Sequence, residues 1–241
     1  MRPYTREPAQ RLHVQGRELA CFPPAPADNL DPVTVASFGA EWTKFAAFDD
    51  ADVRTAGDQY FDVVDWQALP PDAYVLDAGC GTGRWTRYVA PHVGFVEAVD
   101  PSSATLSALA YTQDLPNVRV TQAGIDNLPF PEASFDFILC LGVLHHIPDT
   151  PGALRTLVRH LKPGGTLLLY LYYALETRGP LYRGLFRLSA GVRAVVSRLP
   201  RGLKALVSDL IAFLVYVPLV GLAALAKGLL PGNAWRKLPL S

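Results

Sequence analysis

The sequence predicts an α/β fold: a mostly parallel sheet held between two layers of helices. Three observations predict it. Between residues 73 and 172, short apolar runs alternate with longer amphipathic ones, the pattern of strands buried on both faces and joined by crossover helices. The first run leads into VLDAGCGTG at residues 75–83, where three glycines alternate with other residues at a strand-to-helix crossing. The second run ends on an acid, Asp100, about twenty residues past that glycine loop.

Taken in order, strands are expected at residues 74–77, 95–100, 118–122, 135–141 and 166–172, with helices at 83–90, 102–112 and 152–161. The last helix runs into LKPGG, where Pro163 and the glycine pair Gly164 and Gly165 stop it and turn the chain into the fifth strand. Before this region, Pro23, Pro24, Pro26 and Pro32 forbid long helices, so the start of the chain reads as a loop or arm. From residue 33 to 66 the aromatics Phe38, Trp42, Phe45, Phe48, Tyr60, Phe61 and Trp66 recur at mixed helical spacings. They predict short helices that cover the domain that follows. The expected division is an N-terminal arm and helical lid over 1–70, the α/β domain over 71–175, and a basic, then apolar, helical segment over 176–241.

Composition narrows the function. A chain of 241 residues can bury one full-sized core with a small appendage. Lys+Arg and Asp+Glu balance at 22 each and half the residues are hydrophobic, which argues against disorder and gives no global charge for a nucleic-acid partner. Cys21, Cys80 and Cys140 lie far apart and form no CxxC pair. No disulfide framework and no metal site is expected, and a reducing, cytoplasmic setting follows. The first residues carry scattered charges and lack the apolar run of a leader.

Gly79, Gly81 and Gly83 can take positive φ and let the backbone approach a ligand, while the following helix offers its N-terminal amides. Asp100, at the tip of the second strand, sits where a carboxylate can accept both hydroxyls of a ribose; its alternative role is an acidic helix cap. The spacing is GxGxG, with Asp77 two residues before the first glycine, whereas dinucleotide folds carry GxGxxG and need no such acid. A carboxylate there suits the α-ammonium of an amino-acid tail. Capping the turn is the alternative for Asp77.

The segments VLDAGCGTGRWT, VEAVDPS, IDNLPFPEASFDFILCLGVLHHIPD and LKPGGTLLLY together resemble the successive motifs of class I S-adenosylmethionine-dependent methyltransferases. The branch most similar is the bacterial small-molecule one with VLHH after the fourth strand, and SFGAEWTKF resembles an N-terminal segment of some members. The resemblance implies a Rossmann-like three-layer α/β/α fold with S-adenosyl-L-methionine as cofactor. It implies that the loop of Asp77, Gly79, Cys80, Gly81 and Gly83 holds the methionine tail and that Asp100, beside Pro101, holds the ribose. Leu141, closing the fourth strand, is also expected against the cofactor, and the segment before LPF holds adenine. One departure stands out: where the family usually carries an acid for the adenine amino group, this chain has Gly124. Either Asp126 takes that role from a shifted position or the Ile125 backbone amide and apolar walls recognise adenine; the backbone contact is favoured.

His145 and His146 follow the fourth strand at the carboxyl edge of the sheet. Either is a candidate general base, and shaping the pocket is the alternative. Phe38 and Trp42 are candidates for a lid, with ordinary packing as the alternative. Cys80 and Cys140 read as small apolar fillers, since methyl transfer needs no covalent enzyme intermediate. The resemblance also implies two further strands after the fifth, and none is legible after Tyr173, so the sheet is expected to lack its last strands.

In the C-terminal third, residues 177 to 208 carry seven Arg or Lys and no acid, and residues 210–226 carry no charge. The uncharged run is short for a membrane span, and Pro218 and Gly221 interrupt it. Two readings of the basic stretch stay open: an amphipathic helix resting on an anionic membrane surface, which would make the protein peripheral at the inner face, or a helical cap over the acceptor pocket. The function expected is methyl transfer to an O, N or C atom of a small, rather apolar acceptor. A cofactor-binding fold without catalysis is the alternative, and a nicotinamide oxidoreductase is disfavoured by GxGxG and Asp77.

Overall fold

The computed structural model describes residues 2–14, 16–24, 29–44, 49–172 and 179–229; Pro26, Phe45, Phe48 and Arg178 lie outside them. Contacts divide the chain into two units, Met1–Tyr172 and Tyr173–Ser241.

The first unit is built on a seven-stranded sheet in the order β1-β2-β5-β4-β3-β6-β7. Strands β3 (Tyr74–Ala78), β4 (Phe95–Asp100), β5 (Val118–Gln122), β6 (Phe135–Leu141) and β7 (Leu161–Tyr170) run parallel. They are apolar runs because both faces are covered. Val75, Val96, Val120, Phe137 and Leu139 join one buried cluster, while Leu76, Ala78, Val99, Ile138 and Cys140 join another. Crossovers α3 (Arg84–Val89), α4 (Ala104–Tyr111) and α5 (Thr150–His160) connect them. The start of α5 is set by Asp149, whose carboxylate accepts the Gly152 amide at 3.0 Å.

Two features differ from the sequence expectation. The LKPGG segment is not a turn ahead of the fifth strand. Leu161 already pairs with Phe135, a register irregularity follows, and Thr166 then pairs with Phe137. Lys162 is anchored there to Asp136 at 2.6 Å, and Gly164 takes φ 79°. A strand with one non-donating Pro and one left-handed Gly keeps its direction by bulging.

The second difference is at the start of the chain, which is not only an arm. Residues β1 (Gln10–Val14) and β2 (Arg17–Cys21) form an antiparallel hairpin, and β2 extends the sheet in parallel alongside β5. Leu19 and Cys21 enter one core cluster with Leu12 and Val14 packed on it, and Ala20 and Phe22 enter the other. Arg17 fastens the hairpin by donating to the carbonyls of Thr112 at 2.6 Å and Val118 at 2.5 Å. At the opposite edge β7 stays half exposed, and among the described residues no strand follows it.

The N-terminal residues are also tied to the sheet by charge. Glu97 on β4 is fully buried and takes two bonds, at 2.8 and 2.6 Å, from Arg119, its register partner on β5. The Tyr74 hydroxyl donates to the same carboxylate. The Tyr4 ring lies 4.0 Å from the Arg119 guanidinium, and its hydroxyl is 2.8 Å from the Thr121 hydroxyl. A carboxylate inside a sheet persists only with such a complete set of partners.

Helices α1 (Pro32–Lys44) and α2 (Asp50–Tyr60) precede the sheet. Helix α1 meets the start of α4 at Gly39, where an added Cβ would stand 2.8 Å from the Ser103 hydroxyl.

Candidate functional site

In this strand order β4 and β6 flank β3, so the chain leaves β3 in one direction early and in the other later. The carboxyl ends of β3 and β6 are therefore where an open α/β sheet leaves a crevice. A cavity of about 390 Å³ lies there, within the range of small-molecule sites.

Its floor is the glycine loop. Gly79, Gly81 and Gly83 have φ of 83°, 53° and 81°, all in the left-handed region that side chains avoid. Each has a further reason. A Cβ on Gly79 would stand 2.3 Å from Val143, and one on Gly83 would stand 3.2 Å from Ala108. A Cβ on Gly81 would meet nothing nearer than Trp42 at 3.8 Å, so it would project into the cavity itself. The loop thus offers a ligand bare backbone.

Asp100 lines the cavity. One of its oxygens accepts the Gly81 amide at 3.0 Å, and the other accepts the Ser102 amide at 2.9 Å and the Ser102 hydroxyl at 2.6 Å. The carboxylate is thereby fixed in orientation, with one of its about four lone pairs left over for a ligand hydroxyl. Both expected roles, cap and ligand contact, are compatible with this position.

Asp77 is not among the residues lining the cavity. It is buried, and it accepts the Thr86 hydroxyl at 2.6 Å across the glycine loop. Burial pushes its carboxyl up to about 7, opposed by the Thr86 bond and assisted by the Asp100 charge. Of the remaining expected cofactor residues, Cys80, Pro101, Ile125 and Leu141 line the cavity. Asp126 does not, and its carboxylate faces Thr156 of α5 at 3.4 Å. At Gly124, where the family pattern has an acid, an added Cβ would stand 3.1 Å from Leu30, whose side chain would have to give by a few tenths of an ångström.

Of the adjacent histidines, whose rings are in contact, one lines the cavity. His146 lines the cavity, its ring 4.7 Å from Phe38. His145 is not among the lining residues; its ring lies 4.1 Å from His146 and 3.9 Å from Tyr172, which does line the cavity, and both its ring nitrogens are buried without a hydrogen-bond partner. Burial lowers the pKa of both imidazoles, with the neighbouring His146 adding to the effect on His145. Burial pushes the thiols of Cys80 and Cys140 upward, away from thiolate character.

Phe38 and Trp42 both line the cavity from α1. Several lining residues carry no sequence signal. Leu30 comes from the segment entering α1 and Thr34 and Val35 from its first turn, while Tyr60, Trp85 and Tyr170 come from three separate elements. Tyr60 lies 4.9 Å from Trp85 and 5.4 Å from Tyr170. Arg84, at the start of α3, lies 4.6 Å from the Trp85 ring. Clustered aromatics along one stretch were the only hint, and they do not say which rings share a wall.

Residues 76–169 match the family described as methyltransferase domain. An uncharacterized methyltransferase, YcgJ of Bacillus subtilis, is 37% identical over 105 residues, covering 42% of each chain. Trans-aconitate 2-methyltransferase of Deinococcus radiodurans is 42% identical over 108 residues, covering 43% of this chain and 40% of that one. The crystal structure of YcgJ aligns with 44% of this chain and 47% of its own at 34% identity and a TM-score of 0.43. The chain thus spans under half the length of these curated relatives. The match covers the strands whose ends carry the glycine loop, Asp100 and the fourth-strand loop, and residues 76–169 form a class I S-adenosylmethionine-dependent methyltransferase domain.

Proposed function

We propose that this protein transfers a methyl group from S-adenosylmethionine to an O, N or C atom of a small, largely apolar acceptor. The observation that carries the reading is the convergence of the glycine loop, Asp100, Ile125 and Leu141 on the same cavity as an aromatic wall. The bare loop backbone and Asp100 suit the amino-acid and ribose ends of the cofactor, Ile125 suits adenine, and Leu30 closes that end over Gly124. Asp77, buried and bonded to Thr86, supports the loop, and a carboxylate at this place in the loop suits the tail's ammonium.

The cofactor supplies a methyl group already activated by its sulfonium. The protein's part is to align the acceptor atom with that group and keep water out. Phe38, Trp42, Tyr60, Trp85 and Tyr170 provide an apolar surface for an acceptor, and the name of the Deinococcus relative supports small size, though not apolarity, in the acceptor. For an acceptor with an O–H or N–H, His146 is the proton acceptor we favour. It borders the cavity, and its lowered pKa keeps it neutral near pH 7. The basic stretch of the C-terminal unit, acid-free from residue 177 to 208, supports contact with an anionic membrane surface, on the cytoplasmic side.

Calorimetric titration with S-adenosylhomocysteine and with NADH tests the cofactor, and transfer of a labelled methyl group to an acceptor collection tests the reaction. Binding of the first ligand alone, with label appearing in a small-molecule product, is expected. Tight NADH binding would overturn the reading in favour of an oxidoreductase, and cofactor binding without turnover on any acceptor would favour the non-catalytic alternative.

A further inference from the structure

The C-terminal unit has a distribution of apolar residues that water does not explain. Helix α6 (Pro180–Ser197) ends at Arg198, and Pro200 caps the next helix. From there α7 (Arg201–Ile211), a π-helical turn (Ala212–Tyr216) and α8 (Val217–Leu229) form a nearly uninterrupted helix of 29 residues. At about 1.5 Å per residue it is roughly 43 Å long, enough for a hydrocarbon core of about 30 Å and both interfaces.

Within it, Gly202–Leu222 is long and apolar enough to cross a bilayer, and none of it is buried. Between residues 205 and 226 the only charged residue is Asp209. Leu210, Ile211, Phe213, Leu214, Val215 and Val217 are all exposed. At about 100° per residue these six, together with the exposed Tyr216, leave no gap wider than about 100° around the helix. A cap over a pocket needs one apolar face and one polar face, whereas a helix apolar all round belongs in a core or in lipid. The core is excluded by its exposure, and a leader by the folded unit that precedes it.

The interruptions named in the sequence do not break the helix. Pro218 cannot donate to the carbonyl one turn back. The chain accommodates it in the π turn just before, where the Val217 amide donates to Ala212. In lipid such local adjustments are tolerated because the remaining backbone bonds stay within the helix.

Helix α6 is different and complementary. Leu185, Leu188, Val192 and Val195 share one face by helical spacing, while Arg183, Arg187 and Arg198 fall on the other. We propose that the Arg201–Leu229 helix crosses a lipid bilayer once. In this arrangement α6 lies along the leaflet on the side of the methyltransferase domain, its apolar face in the interface and its arginines at anionic headgroups. Seven Lys or Arg precede the apolar run from residue 177, and three (Lys227, Arg236 and Lys237) follow it, so the bias puts the methyltransferase domain on the cytoplasmic side. This goes beyond peripheral contact and does not depend on the methyl-transfer reading.

The test uses the full chain carrying Ser241→Cys, produced in bacterial cells. The native thiols of Cys21, Cys80 and Cys140 are buried. Membranes are floated on a density gradient after washes in high salt and in alkaline carbonate, and intact sphaeroplasts are treated with a membrane-impermeant maleimide. The expected result is flotation that survives both washes, with label on the added cysteine before lysis. Release by either wash would overturn insertion in favour of surface contact. Flotation with label only after lysis would overturn the crossing. Failure to float would overturn the proposal and favour a cap. A Leu214→Arg, Val217→Arg variant, whose S-adenosylhomocysteine titration reports an intact first unit, is expected to lose carbonate-resistant flotation; full retention would equally overturn the crossing.

Discussion

Leu76 on β3 is fully buried, whereas Leu214 in the C-terminal helix is 61% exposed. The two leucines stand for two units built on opposite terms. In the first, apolar strands are covered on both faces, and even a buried carboxylate, Glu97, has its partners. In the second, Leu210, Phe213, Leu214, Val215, Val217 and Leu222 are exposed on a helix whose backbone bonds run within itself. The difference teaches that one chain can be fitted to two solvents. Layered packing answers water, while a single self-bonded helix with an apolar surface answers lipid.

If the separation holds, damage to the ligand site should leave membrane behaviour alone. The largest effect is expected from Gly81→Val. Its φ of 53° is strained for a β-branched residue, and the added side chain would enter the cavity. S-adenosylhomocysteine affinity should fall by roughly a thousandfold or more with circular dichroism preserved. Normal binding would reduce the loop to a structural turn. Asp100→Ala removes a carboxylate that also orients Gly81 and should cost about 1.5–3 kcal/mol of cofactor binding. Unchanged calorimetric affinity of a folded variant would take Asp100 out of the site. For either variant, loss of flotation would break the comparison, since it would tie the second unit to the first.

The smallest effect concerns pH. The Asp77 carboxyl, held up to about 7 chiefly by burial, is partly protonated in the free protein at neutral pH. The sign is fixed by linkage. The unfolded chain releases this proton at lower pH than the folded one, so the group's contribution to stability falls from about pH 4 to about pH 7 and is level above. A cofactor ammonium favours the ionised form, so S-adenosylhomocysteine affinity should rise about fivefold between pH 6 and pH 7, with proton release. Asp77→Asn should flatten that slope. A wild-type affinity independent of pH over this range would assign Asp77 to bracing the loop alone.

Much of the first unit was legible because buried parallel strands leave continuous apolar runs, and FILCL or VLDA followed by glycines admit few other readings. The hairpin at residues 10–21 was not, because QRLHV and RELAC mix charges with apolar residues and the turn lacks a strong signal. The motif residues of the site were legible by spacing. Leu30, Thr34, Val35 and the facing tyrosines were not, since they reach the cavity through tertiary packing. Nor could adjacency separate His145 from His146, whose surroundings are set by Tyr172 and Phe38. In the C-terminal unit the sequence made Pro218 an interruption, and only the π turn revealed how the helix continues through it.

The hairpin at the first edge of the sheet has a bearing on how labour is divided along the chain. Because β1 and β2 complete seven strands from the front, nothing after Tyr170 is needed to widen the sheet, and the chain can depart from β7 directly. The described residues after Tyr172 form helices and are released from sheet-building. A recruitment at one end of the polypeptide thereby frees the other for an unrelated occupation, and a segment with no duty to the core can drift in composition toward whatever medium surrounds it.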